Sequence, residues 1–313
     1  MTADPEPAEP AAAGVVVSLG HAVAEYVSEH ARRLEQQELR VRSGDDRGVH
    51  RMRVAARRLR SAMTTYADVF GPGEAERLRV ELRWLGAALA GARDAQVQRE
   101  RLIDLVEQQP VELVLGPVRE RLVEQLGARV GQGRGDAQAA LDGDRWERLR
   151  GELRAFVDSP PWRASADEPG LRHATGLLRA DLDRLQRRQR RAAGAATGRE
   201  RDAGLHDVRK AAKRLRYAAE AARPVLGPRA EPLRRRAKYL QEVLGEHQDT
   251  VVARAVLVET GVRAHLAGEN SFTYGVLHAI EDARAAALVL ESARLVDELT
   301  SRKLRRRLTR SAP

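Results

Sequence analysis

Residues 50–60 read HRMRVAARRLR, and residues 206–216 read HDVRKAAKRLR. On a helix that advances about 100° per residue, His50, Arg53, Arg57, Arg60 and Thr64 share one stripe about 80° wide. His206, Arg209, Lys213 and Arg216 form the same stripe in the second segment. Arg58 and Arg214 lie about 80° to one side. Neither stripe holds a carboxylate, although like charges at i,i+3 and i,i+4 repel on an ordinary solvated face. From His50 to Arg60 is about 15 Å at 1.5 Å per residue. A cationic row of that length suits an extended polyanion better than one small anion. Arginine offers forked donors to anionic oxygens, and lysine a compact point charge. Arg79 and Arg83, and then Arg234 and Lys238, add cations on the following helices. Cations beside each histidine lower its pKa, whereas a bound polyanion raises it.

The two segments belong to a longer internal repeat. Seven of eleven positions are identical at an offset of 156. Phe70-Gly71-Pro72 then matches Leu226-Gly227-Pro228. At an offset of 155, Leu78-Arg79 matches Leu233-Arg234, Arg83-Trp84-Leu85 matches Lys238-Tyr239-Leu240, and Asp94 matches Asp249. Shared helical bias aligns apolar positions, but it does not align the histidine, the basic run and the Gly-Pro stop together. We therefore expect two duplicated helical units related by a pseudo-two-fold.

The paired motifs H-x-x-R-V-A-x-R-R-L-R and H-x-x-R-K-x-x-K-R-L-R, with the Arg93-Asp94 pair that opens a later helix, resemble the CHAD family, the conserved-histidine α-helical domain. The resemblance covers about residues 15–300. It implies an all-α fold of two four-helix-type bundles facing one another across a basic groove or pore. It also implies binding of inorganic polyphosphate and association with polyphosphate granules. By the same resemblance His50, Arg53, Arg57, Arg58, Arg60 and Arg93 belong to the binding surface. So do His206, Arg209, Lys213, Arg214 and Arg216. The second copy reads His247-Gln248-Asp249 where the first has an Arg-Asp pair, so that arginine contact is lost or replaced. The family is often fused to a CYTH triphosphate-tunnel domain, but no E-x-E-x-K strand occurs here. Triphosphatase activity is not expected of this chain.

Other chemistries fit less well. No carboxylate stands at i+3 or i+4 from either repeated histidine, and a metal cation is disfavoured among three more cations. His247-x-Asp249 could hold a metal, but Asp249 is more simply a helix N-cap, as Asp94 would be. No P-loop or nucleophile elbow occurs, and the glycine-rich stretch 127–135 follows a helix rather than a strand. A phosphoryl-accepting histidine would lack carboxylates to hold magnesium beside it. The expectation is a non-catalytic binding protein with no cofactor and no metal. Nonspecific nucleic-acid binding is the alternative, since the chain has formal charge +10 and a basic C-terminal run. None of its few aromatics interleaves with the stripes, so platforms for base stacking are not expected.

The elements that must position these residues read as helices nearly throughout. Aromatic residues are 4% and charged residues 32% of 313, a composition that suits long helices rather than a β core. With no cysteine, disulfides, thiolate nucleophiles and zinc-thiolate sites are excluded. Met52, Leu59, Met63, Tyr66 and Phe70 fall opposite the first stripe. Val208, Leu215, Ala219, Ala222 and Leu226 fall opposite the second. Residues 1–14 read as a disordered tail rather than a secretory signal. Residues 15–157 form a first bundle, 158–170 a proline-rich linker, 171–300 a second bundle and 301–313 a basic tail. Breaks are expected at Gly71-Pro72-Gly73, across Gly127–Gly135, before Asp249 and at Gly227-Pro228. The tail reads as a solvated helix end or a second polyanion contact. No run of about 18 apolar residues occurs. A cytoplasmic, granule-associated protein is expected, and the Ala- and Arg-rich composition suggests a high-GC bacterium.

Overall fold

The computed structural model describes residues 18–166 and 170–309. The expected disordered tail, residues 1–14, lies outside them. Thirteen α-helices follow one another among the described residues, with no strand. They are α1 (Leu19–Gln36), α2 (Glu38–Arg42), α3 (Asp46–Thr65), α4 (Pro72–Ala88), α5 (Gly91–Glu107), α6 (Val118–Asp142) and α7 (Asp144–Asp158). The second half holds α8 (Gly170–Ala193), α9 (Gly198–Ala221), α10 (Arg223–Leu226), α11 (Ala230–Leu266), α12 (Phe272–Thr300) and α13 (Arg302–Thr309).

Local chemistry starts the helices that carry the basic stripes. Asp45 caps α3, accepting a hydrogen bond from the Arg47 backbone N–H at 2.8 Å. Thr197 and Glu200 form a capping box at the start of α9. That box begins α9 eight residues before His206, so the helix starts earlier than the basic run suggests. The apolar side of each stripe helix is the buried side. Met52, Leu59, Met63, Tyr66 and Phe70 are all sequestered, as are Val208, Leu215, Ala219, Ala222 and Leu226. Burial of one such side chain contributes on the order of 2 kcal/mol, so rotating either stripe inward would forfeit several of these at once.

The two halves meet over apolar contacts as well as through their basic stripes. One buried cluster draws Met52 and Leu59 from α3, Leu178 and Leu182 from α8, Leu215 from α9 and Leu240 from α11. A second cluster joins Leu102, Leu122 and Leu126 of the first half to Val256, Leu257 and Leu277 of the second. Beside it Arg101 donates two hydrogen bonds to the buried Glu281, at 2.9 and 2.7 Å.

Of the expected breaks, one is displaced and one is absent. The glycine-rich stretch 127–135 does not end a helix. α6 runs through it, and the chain turns at Gly143 instead. Gly133 is needed there for close packing, because a Cβ on it would stand 2.1 Å from the Ala92 backbone nitrogen of α5. Asp249 is not an N-cap but lies inside the 37-residue α11. Asp94 likewise lies within the first turn of α5, whose N-cap is Ala90. The linker is pinned to the α3–α4 turn. Trp162 stacks on Phe70 with ring centroids 5.2 Å apart, and the Gly71 N–H donates to the Pro161 carbonyl at 2.6 Å. The basic tail forms a helix of its own, α13, that buries Leu304 and Leu308 and pairs Arg305 with Asp183 at 2.6 Å. Its leucines are four residues apart, which gives the segment an apolar side despite its charge.

Candidate functional site

The stripes of α3 and α9 converge. The Arg57 Nε donates to the Tyr217 hydroxyl at 3.0 Å, so the helices are in side-chain contact along this seam. Lys213 is half-buried there, and desolvation, followed by Arg209, Arg57, Arg53 and Arg60, lowers its pKa to about 7. Arg60 is in turn held below the ordinary guanidinium range by burial and by Arg57, Arg79 and Arg83. Arg209 is shifted the same way by burial, against the opposing pull of Asp249. Among the described residues, the side chains of Lys213, Arg60, Arg83 and Arg93 have no hydrogen-bond or ion-pair partner.

The first arginine of each half reaches the corresponding stretch of chain, but only Arg53 is hydrogen-bonded there, and the Arg209 Nε is buried without a partner. Arg53 reaches across to the α4–α5 junction, donating to the Ala90 carbonyl at 3.2 Å and to both oxygens of Asp94 at 2.9 and 3.3 Å. Arg209 lies over Gly245 of α11, where a Cβ would stand 3.2 Å from its guanidinium. Ala90 and Gly245 are 155 residues apart, as are Asp94 and Asp249. Two acidic groups thus face the cluster, against five cations from α3 and α9.

The histidines flank this centre. Burial, followed by Arg93, Arg57, Arg53 and Arg51, lowers the pKa of His50. Burial and Lys210 lower that of His206, while a hydrogen bond to Gln248 opposes them. That bond joins His206 Nδ1 to Gln248 Oε1 at 2.8 Å. Where the first half sets Arg93 beside its histidine, the second therefore sets a neutral amide. His247 is buried and stands 3.4 Å from Asp202, and no group of acids and histidines among the described residues suits a metal ion.

The remaining expected residues are engaged elsewhere. Arg58 pairs with Glu220 at 3.2 Å, and Arg214 with the buried Asp181 of α8 at 2.8 Å. Both lie off their stripes, and their partners lie to that side. Arg216 donates to Glu220 at 3.0 Å and to Gln241 at 3.3 Å. Arg234 donates to Glu231 at 2.8 and 2.7 Å. Lys238 pairs with Glu242 at 3.3 Å, and Arg79 donates to Glu76 at 2.6 Å. Exposed pairs of this i,i+3 and i,i+4 kind contribute little and exchange readily for a stronger anion.

Sequence reasoning missed Tyr217 and Glu220. Tyr217 does interleave with the arginines, since Arg58 and Arg216 stand 5.6 and 5.5 Å from its ring centroid. Its wheel position, within about 20° of His206, was the available signal. It is nevertheless buried and offers no face to a nucleobase. Glu220 occupies the position that Thr64 holds in the first copy. It gathers Arg58, Arg216 and, at 3.9 Å, Arg234. The centre of the seam thus carries more cations than acids, while Glu220 neutralises its flank.

Residues 25–258 match the family model of the CHAD domain. Two Mycobacterium tuberculosis proteins, MT2285 of strain CDC 1551 / Oshkosh and Rv2226 of strain ATCC 25618 / H37Rv, are each 37% identical over 259 residues. The alignment takes in 80% of this chain and 48% of either relative, so the chain spans about half the length of the curated relatives it matches. PptA from Streptomyces chartreusis is similar in fold, with a TM-score of 0.74 at 21% identity over 90% of this chain and 99% of that one. The CHAD domain from the plant Ricinus communis gives 0.65 at 24% identity, over 93% and 96%. The histidine-led basic repeat, the all-helical fold and these matches lead to one conclusion: the chain belongs to the CHAD family.

Proposed function

We propose that this protein binds inorganic polyphosphate along the α3–α9 seam, without transforming it, and that long chains carry it to polyphosphate granules. The observation that supports this most directly is the crowding of Lys213 by four arginines, with a pKa near 7 in the free protein. So unfavourable a cluster is stabilised by an anion that brings many charges at once. Arg57 and Tyr217 join α3 and α9 directly, so cations of both helices can meet one bare phosphate chain lying along that contact. The binding face comprises His50, Arg53, Arg57, Arg60, Arg93, His206, Arg209 and Lys213, with Arg79 and Arg83 beside it. Asp94 orients Arg53, which supports positioning of a ligand rather than turnover.

The test is calorimetric titration with long-chain polyphosphate near 0.15 M salt, beside short double-stranded DNA and pyrophosphate. Tight binding to the long inorganic chain alone is expected. Equal binding to DNA would replace the proposal with a generic polyanion surface. If about five phosphates are neutralised, single-strand counterion release predicts roughly a hundredfold loss of affinity between 50 and 200 mM salt.

A further inference from the structure

Beside the seam, α1 and α3 enclose a cavity of about 370 Å³. His30 and Arg33 come from α1, Gln37 is its C-cap, and His50, Arg51 and Arg58 come from α3. No carboxylate lines it. Two of its arginines are ion-paired with acids outside the lining, Arg33 with Glu29 and Arg58 with Glu220. Two buried nitrogens in these walls, His30 Nδ1 and Arg58 Nε, have no hydrogen-bond partner. His30 is only 2% exposed, its ring edge-on to Tyr26 at 4.3 Å. The second half differs. There α8 supplies a buried carboxylate, Asp181, to Arg214, whereas α1 brings Arg58 a histidine and another arginine. His50 lines this cavity and also faces Arg53, Arg57 and Arg93, so the cavity adjoins the seam at that residue.

We propose that the cavity receives the end of a phosphate chain: a doubly charged terminal phosphate, on a polymer lying in the seam or on a free short oligophosphate. An interior phosphate has two bridging oxygens and one charge. A terminal phosphate has one bridging oxygen and a second charge, and so presents three oxygens to converging donors. An open stripe suits the first. A concave cavity with no carboxylate in its lining and the buried, unpartnered Arg58 Nε–H in its wall suits the second. The volume also holds more than one phosphate, so the group behind the terminus enters with it. The polymer arm of the proposal rests on the polyphosphate reading of the seam, whereas the oligophosphate arm does not.

The full chain and its Arg33→Ala/Arg51→Ala variant are titrated with tripolyphosphate and with long-chain polyphosphate whose ends are blocked as phosphoramidates. Melting curves verify that the variant folds, and Val54→Phe, which fills the cavity without changing charge, serves as the second variant. Tripolyphosphate affinity should fall at least tenfold in both variants, while affinity for the end-blocked polymer stays within twofold. The terminal ³¹P resonances of tripolyphosphate should shift more than the central one on binding. Tripolyphosphate affinity kept within twofold in a folded variant, or equal shifts of terminal and central phosphorus, overturns the proposal. Wild-type protein that binds tripolyphosphate through the cavity but ignores the end-blocked polymer would sink the seam reading and leave this one standing.

Discussion

Replacing Lys213 with methionine should stabilise the fold while weakening polyphosphate binding. Methionine matches the unbranched stem of lysine to within one atom and removes the charge. A lysine pKa lowered from 10.5 to about 7, at about 1.4 kcal/mol per unit, corresponds to an electrostatic penalty on the order of 5 kcal/mol. The unfolded chain restores the ordinary pKa. Between pH 7 and 10.5 it therefore holds more protons than the native state, and wild-type stability rises with pH across that window. The penalty is complete below pH 7 and fades towards pH 10.5. Urea denaturation of both proteins at intervals from pH 6 to 10 measures this. Lys213→Met should be more stable by at least about 2 kcal/mol at pH 6, and the difference should shrink as pH rises. A difference that stays constant with pH, or a variant less stable at pH 6, would refute the argument. The same linkage predicts uptake of up to about one proton when polyphosphate binds near pH 8. Titrations in buffers of different ionisation enthalpy report it, and Lys213→Met should abolish it.

Reversing charge in the seam with Arg57→Glu and Lys213→Glu together should remove polyphosphate binding and leave the helical circular dichroism intact, because both face away from the apolar core. A folded double variant with wild-type affinity would mean that the wrong face was chosen. His50 and His206, both lowered below the usual imidazole range, are neutral at pH 7 without ligand. A bound polyanion raises them, so affinity should climb as pH falls from 7 to 5.5, and the His50→Gln/His206→Gln variant should flatten that limb of the profile. Asp181→Asn strips Arg214 of its buried partner and should destabilise the protein by roughly 3 kcal/mol in urea, a loss that Arg214→Met in the same chain should partly recover.

Which side of each stripe helix is buried could be read from the sequence, because a period near 3.6 leaves Met52, Leu59 and Met63 on one side and the cations on the other. Where helices stop was less legible. Glycine is a weak breaker when another backbone needs its space, and Gly133 against Ala92 is such a case. Gly143, outwardly no different in the sequence, is the actual turn. Asp249 resembled an N-cap because Asp94 stands near a helix start, but α11 needs no break where α4 and α5 are divided. Tyr217 and Glu220 were missed for a related reason. Each occupies a position where its counterpart, Ser61 or Thr64, is small and uncharged, so comparison of the copies hid them. Partners drawn from other helices, such as Asp181 for Arg214, leave no local signal at all.

The cationic row in the seam has a consequence for motion. Its members recur at three- and four-residue steps and present similar donors, so a uniform phosphate chain finds nearly equivalent footing after each small lengthwise displacement. Such a track holds its ligand without fixing where along the strand it is held. On the proposed function, one strand would slip along the protein by successive exchange of neighbouring phosphates, and several copies would spread along it like beads, each moving until it meets the next.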